Sequence, residues 1–125
     1  MVLVDTSVWI RFLAGRRPEA PALDRLLADE DVAGHDLVYG ELLIGDTGGR
    51  RDLLEAYARI SRARTLVHDE VLELVRSRRI HGRGVGWIDA HQLASALVER
   101  WPLWTMDAPL AAVATELGVA WTPPG

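Results

Sequence analysis

The sequence predicts an α/β fold of the three-layer type, with helices on both faces of a central and mostly parallel sheet. The chain begins with an uninterrupted apolar run, Val2-Leu3-Val4, which is typical of a strand covered on both sides. Further short apolar runs alternate with segments of helical periodicity, a pattern that favours parallel strands joined by helical crossovers. A length of 125 residues suits one compact core, so we expect residues 1–125 to form a single domain.

The bounds of the predicted elements follow from periodicity and from the glycines and prolines that interrupt it. Gly15, Gly45 and Gly118 each stand where a helix should end, and Pro109 suits the first turn of the last helix. The predicted helices are Ser7–Ala14, a helix around Leu23–Leu27, Leu37–Ile44, Asp52–Ile60, Asp69–Ile80, Trp87–Arg100 and Pro109–Leu117. The further predicted strands are Val32–His35, Pro102–Thr105 and Val119–Trp121, and Thr65–Val67 is predicted to be a short extended segment.

Composition excludes several classes of protein. Hydrophobic residues make up 49% of the chain and charged residues 26%, which argues against disorder. Charges interrupt every apolar run before it reaches the roughly 20 residues of a membrane span. The N-terminus lacks the basic leader of a secreted protein, so we expect residence in the cytoplasm and no membrane contact. Because cysteine is absent, disulfides, thiolate metal sites and cysteine nucleophiles are excluded.

The distribution of charge leaves two interpretations open. A net charge of −4 argues against a protein that coats nucleic acid through its overall charge. All 14 basic residues are arginines, and many of them lie within residues 50–64 and 76–83. Solvated helix faces explain both clusters, and arginines in such clusters also bind phosphates or an acidic partner.

Four acidic residues occupy similar positions at the junctions of apolar segments. Asp5 ends the first strand, and Asp107 follows the strand near the C-terminus. Asp89 stands where a helix opens, and Glu41 lies on a helix among leucine and isoleucine neighbours. Taken singly, each aspartate fits a helix cap and Glu41 fits an exposed helical position. Taken together, they fit one acidic site at the carboxyl edge of a parallel sheet.

Convergence of these four carboxylates would require a cation. Two unit charges about 4 Å apart repel by on the order of 4 kcal/mol at an effective dielectric constant near 20. An all-oxygen ligand set without cysteine or paired histidines favours Mg²⁺ or Mn²⁺ over zinc. Such an ion holds a phosphodiester, acidifies a water molecule and stabilises the leaving oxygen. The sequence therefore predicts a metal site built from Asp5, Glu41, Asp89 and Asp107.

The order of the acidic motifs carries a family resemblance. Asp5-Thr6-Ser7, the segment from Glu41 to Gly45, Asp89-Ala90 after a glycine-containing loop, and Thr105-Met106-Asp107 resemble the PIN-domain ribonucleases. Within them the chain is similar to the VapC toxins of bacterial toxin–antitoxin pairs. The resemblance covers essentially the whole chain in order, although each motif alone is short and weakly specific.

The resemblance implies a PIN-like three-layer fold and an endoribonuclease dependent on Mg²⁺ or Mn²⁺. It implies RNA as the substrate, a small VapB-like antitoxin as the inhibitor, and a homodimer. Asp5, Glu41, Asp89 and Asp107 match the acidic quartet of the family. Thr6 and Thr105 match the polar positions beside the first and last acids, where a hydroxyl orients a carboxylate or water, although local capping also explains them. Met106 departs from the basic or polar residue that many relatives carry.

Aromatic and histidine residues near these motifs have structural explanations as well as functional ones. Most of the five tryptophans fit core or dimer packing, and Trp9 also suits a dimer or antitoxin contact. Trp87, next to the glycine loop, is the best placed of them to stack on an unpaired RNA base. His91 follows Asp89 by two positions and fits a satisfied or solvent-facing side chain better than a proton shuttle.

Two alternatives to a ribonuclease belong to other classes. The first is a binding module that keeps the PIN fold with weak catalysis, against which the intact quartet argues. The second is a metal-dependent phosphohydrolase on a related α/β scaffold. An aspartyl-phosphate enzyme should carry a second aspartate two residues after its nucleophile, where this chain has Ser7.

Overall fold

The protein is built on a four-stranded sheet in which every pair of neighbouring strands runs parallel. The computed structural model describes residues 1–124. The strands are β1 (Val2–Val4), β2 (Val32–Gly34), β3 (Ser61–Arg62) and β4 (Leu103–Trp104), in the spatial order β3-β2-β1-β4. Strand β1 is central, and its Leu3 pairs with Ala33 on one side and Leu103 on the other. The predicted parallel sheet is therefore confirmed.

Seven helices among the described residues connect the strands and cover the sheet. They are α1 (Thr6–Leu13), α2 (Glu19–Ala28), α3 (Asp36–Ile44), α4 (Arg51–Tyr57), α5 (His68–Ser77), α6 (Trp87–Glu99) and α7 (Ala108–Glu116). Each corresponds to a helix that the sequence predicts, with ends that differ by a few residues. No helix of the described chain is both long enough and apolar enough to cross a membrane.

Alternation along β1 divides the core into two layers. Val2 and Val4 point to one face, where helices α1 to α4 contribute buried residues such as Trp9 and Leu42. Leu3 points to the other face, where α6 and α7 contribute buried residues that include Leu93. Helix α5 packs beside α6 through Val71 and the alanines that it meets there. The predicted α/β/α architecture is thus confirmed, and every residue of β1 is buried because both of its faces are covered.

Two of the predicted extended segments are displaced or mostly lost in the structure, while β2 and β4 are only shorter at their ends than predicted. Strand β3 is Ser61–Arg62, upstream of the predicted Thr65–Val67, and both of its residues are exposed. An exposed edge strand carries no apolar pattern, so periodicity could not locate it. The predicted strand Val119–Trp121 is reduced to a single parallel bridge between Ala120 and Leu103.

The topology brings the ends of the central strands to one edge of the sheet. Asp5 directly follows β1, and its backbone N–H donates to the carbonyl of Trp104 at the end of β4 (2.9 Å). The turn Thr105–Asp107 continues from β4 beside it, and His35 follows β2. This carboxyl edge is the place where open parallel sheets form their ligand sites.

Candidate active site

Asp5 is held by donors from three separate parts of the chain. Its side chain is buried, with 3% exposure. One oxygen, Oδ2, accepts hydrogen bonds from the hydroxyls of Ser7 (2.6 Å) and Thr105 (2.7 Å). The other, Oδ1, accepts from the amide Nε2 of Gln92 (2.8 Å). The capping bond from the Ser7 N–H to Oδ2 is longer, at 3.4 Å. Asp5 is therefore the N-cap of α1 as well as the centre of a polar cluster.

Both hydroxyls donate to Asp5, because a carboxylate oxygen only accepts, and each also accepts a backbone N–H from the turn after β4. Ser7 Oγ accepts from the N–H of Met106 (2.9 Å) and Thr105 Oγ1 from that of Asp107 (3.0 Å). An acceptor at position 5 satisfies both hydroxyl protons while the two N–H bonds hold this turn. A carboxylate at position 5 thereby fixes the chain that carries Asp107.

Thr6 connects α1 to the second predicted acid. Its Oγ1 donates to Oε1 of Glu41 over 2.7 Å, and both side chains are half-buried. Asp5 and Thr6 are adjacent, so this dipeptide supplies one carboxylate and orients a second, that of Glu41. The hydroxyl orients Glu41 while leaving its second oxygen without a protein partner among the described residues.

Asp89 lies in the first turn of α6 and is half-buried. Its Oδ2 accepts one hydrogen bond, from the N–H of Gly86 (3.1 Å). Burial raises the pKa of this carboxyl to about 6, and the negative charges of Asp5, Asp107 and Glu41 add to the rise, while the Gly86 N–H opposes it. The four carboxylates are therefore electrostatic neighbours, although they come from four helices.

Asp107 is the N-cap of α7, and its Oδ2 accepts the N–H of Leu110 (3.0 Å). The capping interpretation of the sequence therefore holds for Asp5 and Asp107. For Asp89 the cap position is Gly86, three residues earlier. An aspartate that caps a helix can also belong to the acidic group, because the capping hydrogen bond uses only part of the carboxylate's acceptor capacity.

The chemistry of the acidic group fits a divalent cation. Glu41, Asp89 and Asp107 each use one oxygen in a hydrogen bond and have a second without a protein partner in the described chain. Carboxylate oxygens are the ligands that hard cations prefer. Within residues 1–124, no three acidic or histidine side chains stand close enough together to enclose one ion. The arrangement is thus an open acidic group with the right donors, and no closed ligand cage.

Sequence reasoning missed Gln92 and Ser7, the two donors to Asp5 that join the predicted Thr105. Gln92 is fully buried one turn after Asp89, among Leu93 and alanines, and its Oε1 has no hydrogen-bond partner in the described structure. A glutamine within an apolar helical stripe is the signal that could have revealed it, since a buried amide requires a partner. Ser7 stands two residues after Asp5, at the spacing of a local side-chain turn.

A predicted aromatic residue borders the acidic group. Trp87 lines a cavity of about 290 Å³ together with Glu41, Gly86, Ile88 and Asp89. The imidazoles of His68 and His91 lie against its indole, with ring centroids 5.1 Å and 4.9 Å away. By contrast, Trp9 and Trp104 are core residues with 1% exposure each, as the packing interpretation of the tryptophans predicts.

The fold is that of one protein class. Residues 2–116 match the PIN domain family, and the chain belongs to that family. A particular relative is Ribonuclease VapC32 of Mycobacterium tuberculosis, from strains H37Rv and CDC 1551 / Oshkosh. The two sequences are 45% identical over 121 residues, which cover 96% of this chain and 95% of the relative. The predicted membership of the PIN and VapC group is therefore confirmed.

Solved structures agree on the fold. FitAcB from Neisseria gonorrhoeae superposes with a TM-score of 0.65 at 22% identity, covering 98% of each chain. PAE2754 from Pyrobaculum aerophilum gives a TM-score of 0.59 at 19% identity, covering 90% of this chain and 83% of that one. At such identities the likeness concerns the fold alone, and it supports the three-layer architecture described above.

Proposed function

We propose that this protein is a metal-dependent endoribonuclease and the toxin of a VapBC-type toxin–antitoxin pair. The observation that carries the proposal is the group formed by Asp5, Glu41, Asp89 and Asp107 at the carboxyl edge of the sheet, where burial and then the charges of the other three raise the pKa of Asp89. Membership of the PIN family and the similarity to a protein named Ribonuclease VapC32 support the same activity.

The roles of the acids follow from their surroundings. Glu41, Asp89 and Asp107 would hold Mg²⁺ or Mn²⁺ through their free oxygens, and Asp5 would complete the negative charge that attracts the ion. When bound, the cation supplies positive charge to the scissile phosphodiester and acidifies an attacking water. Thr6 orients Glu41, and Thr105 connects Asp5 to the turn that carries Asp107. These contacts fix the carboxylates in advance, which lowers the cost of arranging them around RNA.

The partners follow from the similarity to VapC proteins and from the exposed surface. We propose a VapB-like antitoxin, a homodimer and a cytoplasmic location, with residues 1–125 forming a single domain. Apolar side chains are exposed on α1, at Ile10 and Leu13, and on α3, at Leu43 and Ile44. Such groups are typical of surfaces that a second protein covers. Ile44→Glu should shift the molar mass measured by light scattering from dimer to monomer, and an unchanged mass would remove this face from the dimer.

The decisive test is cleavage of RNA by protein purified free of any partner. Single-stranded and structured RNAs should be cut with Mg²⁺ or Mn²⁺, and Asp89→Asn and Glu41→Gln should reduce the rate by on the order of 10²–10³-fold. Asp24→Asn, which changes an exposed acid on α2, is the matched control and should leave the rate unchanged. A rate that survives both Asp89→Asn and Glu41→Gln would show that the cutting does not come from this acidic group, and would refute the proposal.

Metal binding is tested separately by thermal unfolding. At a concentration of about 100 times the dissociation constant, Mn²⁺ should stabilise the parent by about 2.7 kcal/mol and should stabilise Asp89→Asn much less. Metal binding with intact RNA would instead support the weakly catalytic binding module. Hydrolysis of p-nitrophenyl phosphate in place of RNA would support the phosphohydrolase.

A further inference from the structure

Trp87 is the most exposed of the tryptophans and the one beside the acidic group. Its residue exposure is 41%, whereas the other four tryptophans are buried or half-buried. It is the first residue of α6, two positions before Asp89, and it shares the 290 Å³ cavity with Asp89 and Glu41. The cavity therefore has carboxylates on one part of its lining and an aromatic ring on another.

Two imidazoles hold the indole in place. His91, one turn further along α6, meets it edge-to-face with an interplanar angle of 89°, and His68, the first residue of α5, lies against it at 56°. The ring is thus positioned by contacts from two helices while much of its surface stays open to solvent. A fixed, exposed aromatic surface loses little conformational entropy when a flat ligand stacks on it.

We propose that Trp87, supported by His68 and His91, stacks on an unpaired base of the RNA beside the scissile phosphate. This inference rests on the proposed ribonuclease activity and names the form of its substrate. A nucleotide carries both groups that fit this cavity, because its phosphate can bind the cation at the carboxylates and its planar base can stack on the indole. Bases inside a duplex are already covered on both faces by their neighbours, so the enzyme should select single-stranded RNA.

The first experiment measures binding without cleavage. In the Asp89→Asn background, the fluorescence anisotropy of a labelled single-stranded RNA without self-complementarity gives the dissociation constant in the presence of Mg²⁺. Adding Trp87→Leu should weaken binding by roughly 5- to 150-fold, the value of one base–aromatic stack. Adding Trp87→Phe should restore most of the affinity, because phenylalanine keeps an aromatic face. Binding of the fully paired duplex should not respond to either change.

Trp101→Leu in the same background is the matched control. Trp101 is half-buried and lines a different cavity with Leu97, Pro102 and Gly118, at the start of β4 and so at the opposite end of the strand from Asp107. Its replacement should leave RNA affinity unchanged. Equal weakening by Trp101→Leu and Trp87→Leu would mean that loss of any tryptophan perturbs the fold, and would overturn the specific role of Trp87.

A second measurement locates the base. RNAs with one abasic nucleotide at successive positions should bind the Trp87-containing protein weakly at one position only. At that position, Trp87→Leu should cause no further loss, because the stack is already absent. Additive losses at every position would overturn the inference.

Failure of the inference can be distinguished from failure of the proposed function. If cleavage requires Asp89 but Trp87→Leu binds single strands as tightly as its parent, the ribonuclease stands and the stacking role is refuted. If Trp87→Leu leaves RNA binding intact and abolishes binding of a VapB-like antitoxin, the indole belongs to a protein interface and the inference is likewise refuted.

Discussion

The charge of Asp5 acts on Asp89, yet the protein supports the two carboxylates in opposite ways. Asp5 is buried among two hydroxyls and an amide that donate to it, so its charge is matched by fixed dipoles. Asp89 accepts only one backbone N–H, and its pKa rises because it is partly buried and because three acidic neighbours surround it. The charge of Asp5 is balanced by hydrogen bonds within the fold, whereas the charge of Asp89 is left for a cation to balance. Stability and metal response should therefore depend on different acids.

The largest effect is expected from Asp5→Asn. The hydroxyls of Ser7 and Thr105 donate to one oxygen of Asp5 and Gln92 donates to the other, whereas an asparagine has a single acceptor oxygen and would set its NH₂ group against one of these donors. We expect a loss of about 1–3 kcal/mol in the free energy of unfolding, measured by urea titration, and a loss of cleavage. Unchanged stability would show that the donors rearrange easily and would remove the contrast with Asp89.

Gln92→Leu should have the next largest effect. It removes the donor to Oδ1 of Asp5 and leaves a buried charged oxygen unsatisfied. Cleavage should fall by about 10- to 100-fold. Because leucine also removes the unpartnered Oε1 of Gln92, the loss of stability should be smaller than that caused by Asp5→Asn. Initial rates on RNA and urea titration measure the two effects. Full activity in Gln92→Leu would mean that the hydroxyls alone position Asp5.

Asp89→Asn should raise the free energy of unfolding, whereas Asp5→Asn and Gln92→Leu should lower it. The folded state holds the Asp89 proton up to about pH 6 and the unfolded chain loses it near 3.8, so the stability of the parent falls as pH rises through this range. Asparagine removes this dependence and still accepts from Gly86. Allowing for solvent screening, we expect the variant to be more stable at pH 7 without metal by on the order of 1 kcal/mol.

The measurement compares parent and Asp89→Asn by urea titration from pH 4 to pH 7 in chelator. The difference should shrink toward pH 4 and, for a cation that binds the parent, should reverse when Mn²⁺ is added. A variant that is less stable than its parent at every pH would contradict the proposed repulsion.

The smallest effect is expected from Thr6→Val. This nearly isosteric change removes the hydrogen bond to Glu41, and both side chains keep access to water. We expect a loss of about 1 kcal/mol or less in the free energy of unfolding and about a fivefold lower cleavage rate. Thr105→Val should cost more on both measurements, because the Thr105 hydroxyl joins Asp5 to Asp107. Equal costs would weaken the distinction between the two regions.

The sequence predicts what depends on local pattern and misses what depends on tertiary contact. The acids at the ends of β1 and β4 could be predicted because parallel strands bring their carboxyl ends together. No pattern in the sequence marks His35, yet it caps α3 through Nδ1 and hydrogen-bonds Ser95 through Nε2, and burial lowers its pKa to about 4. Its partner Ser95 is distant in sequence, as Asp5 is from Gln92. Neither pairing produces a periodic pattern in the sequence.

The bond between Thr105 and Asp5 spans 100 residues of sequence and lies at the seam between the first and last strands of the sheet. A ribosome that makes this chain releases Asp5 100 residues before Thr105. Until the C-terminal part has emerged and β4 has docked beside β1, the acids have no common edge on which to assemble. On the proposed mechanism, a chain that stops before β4 should therefore leave RNA intact, and the docking of β4 sets the earliest moment at which a new molecule can act.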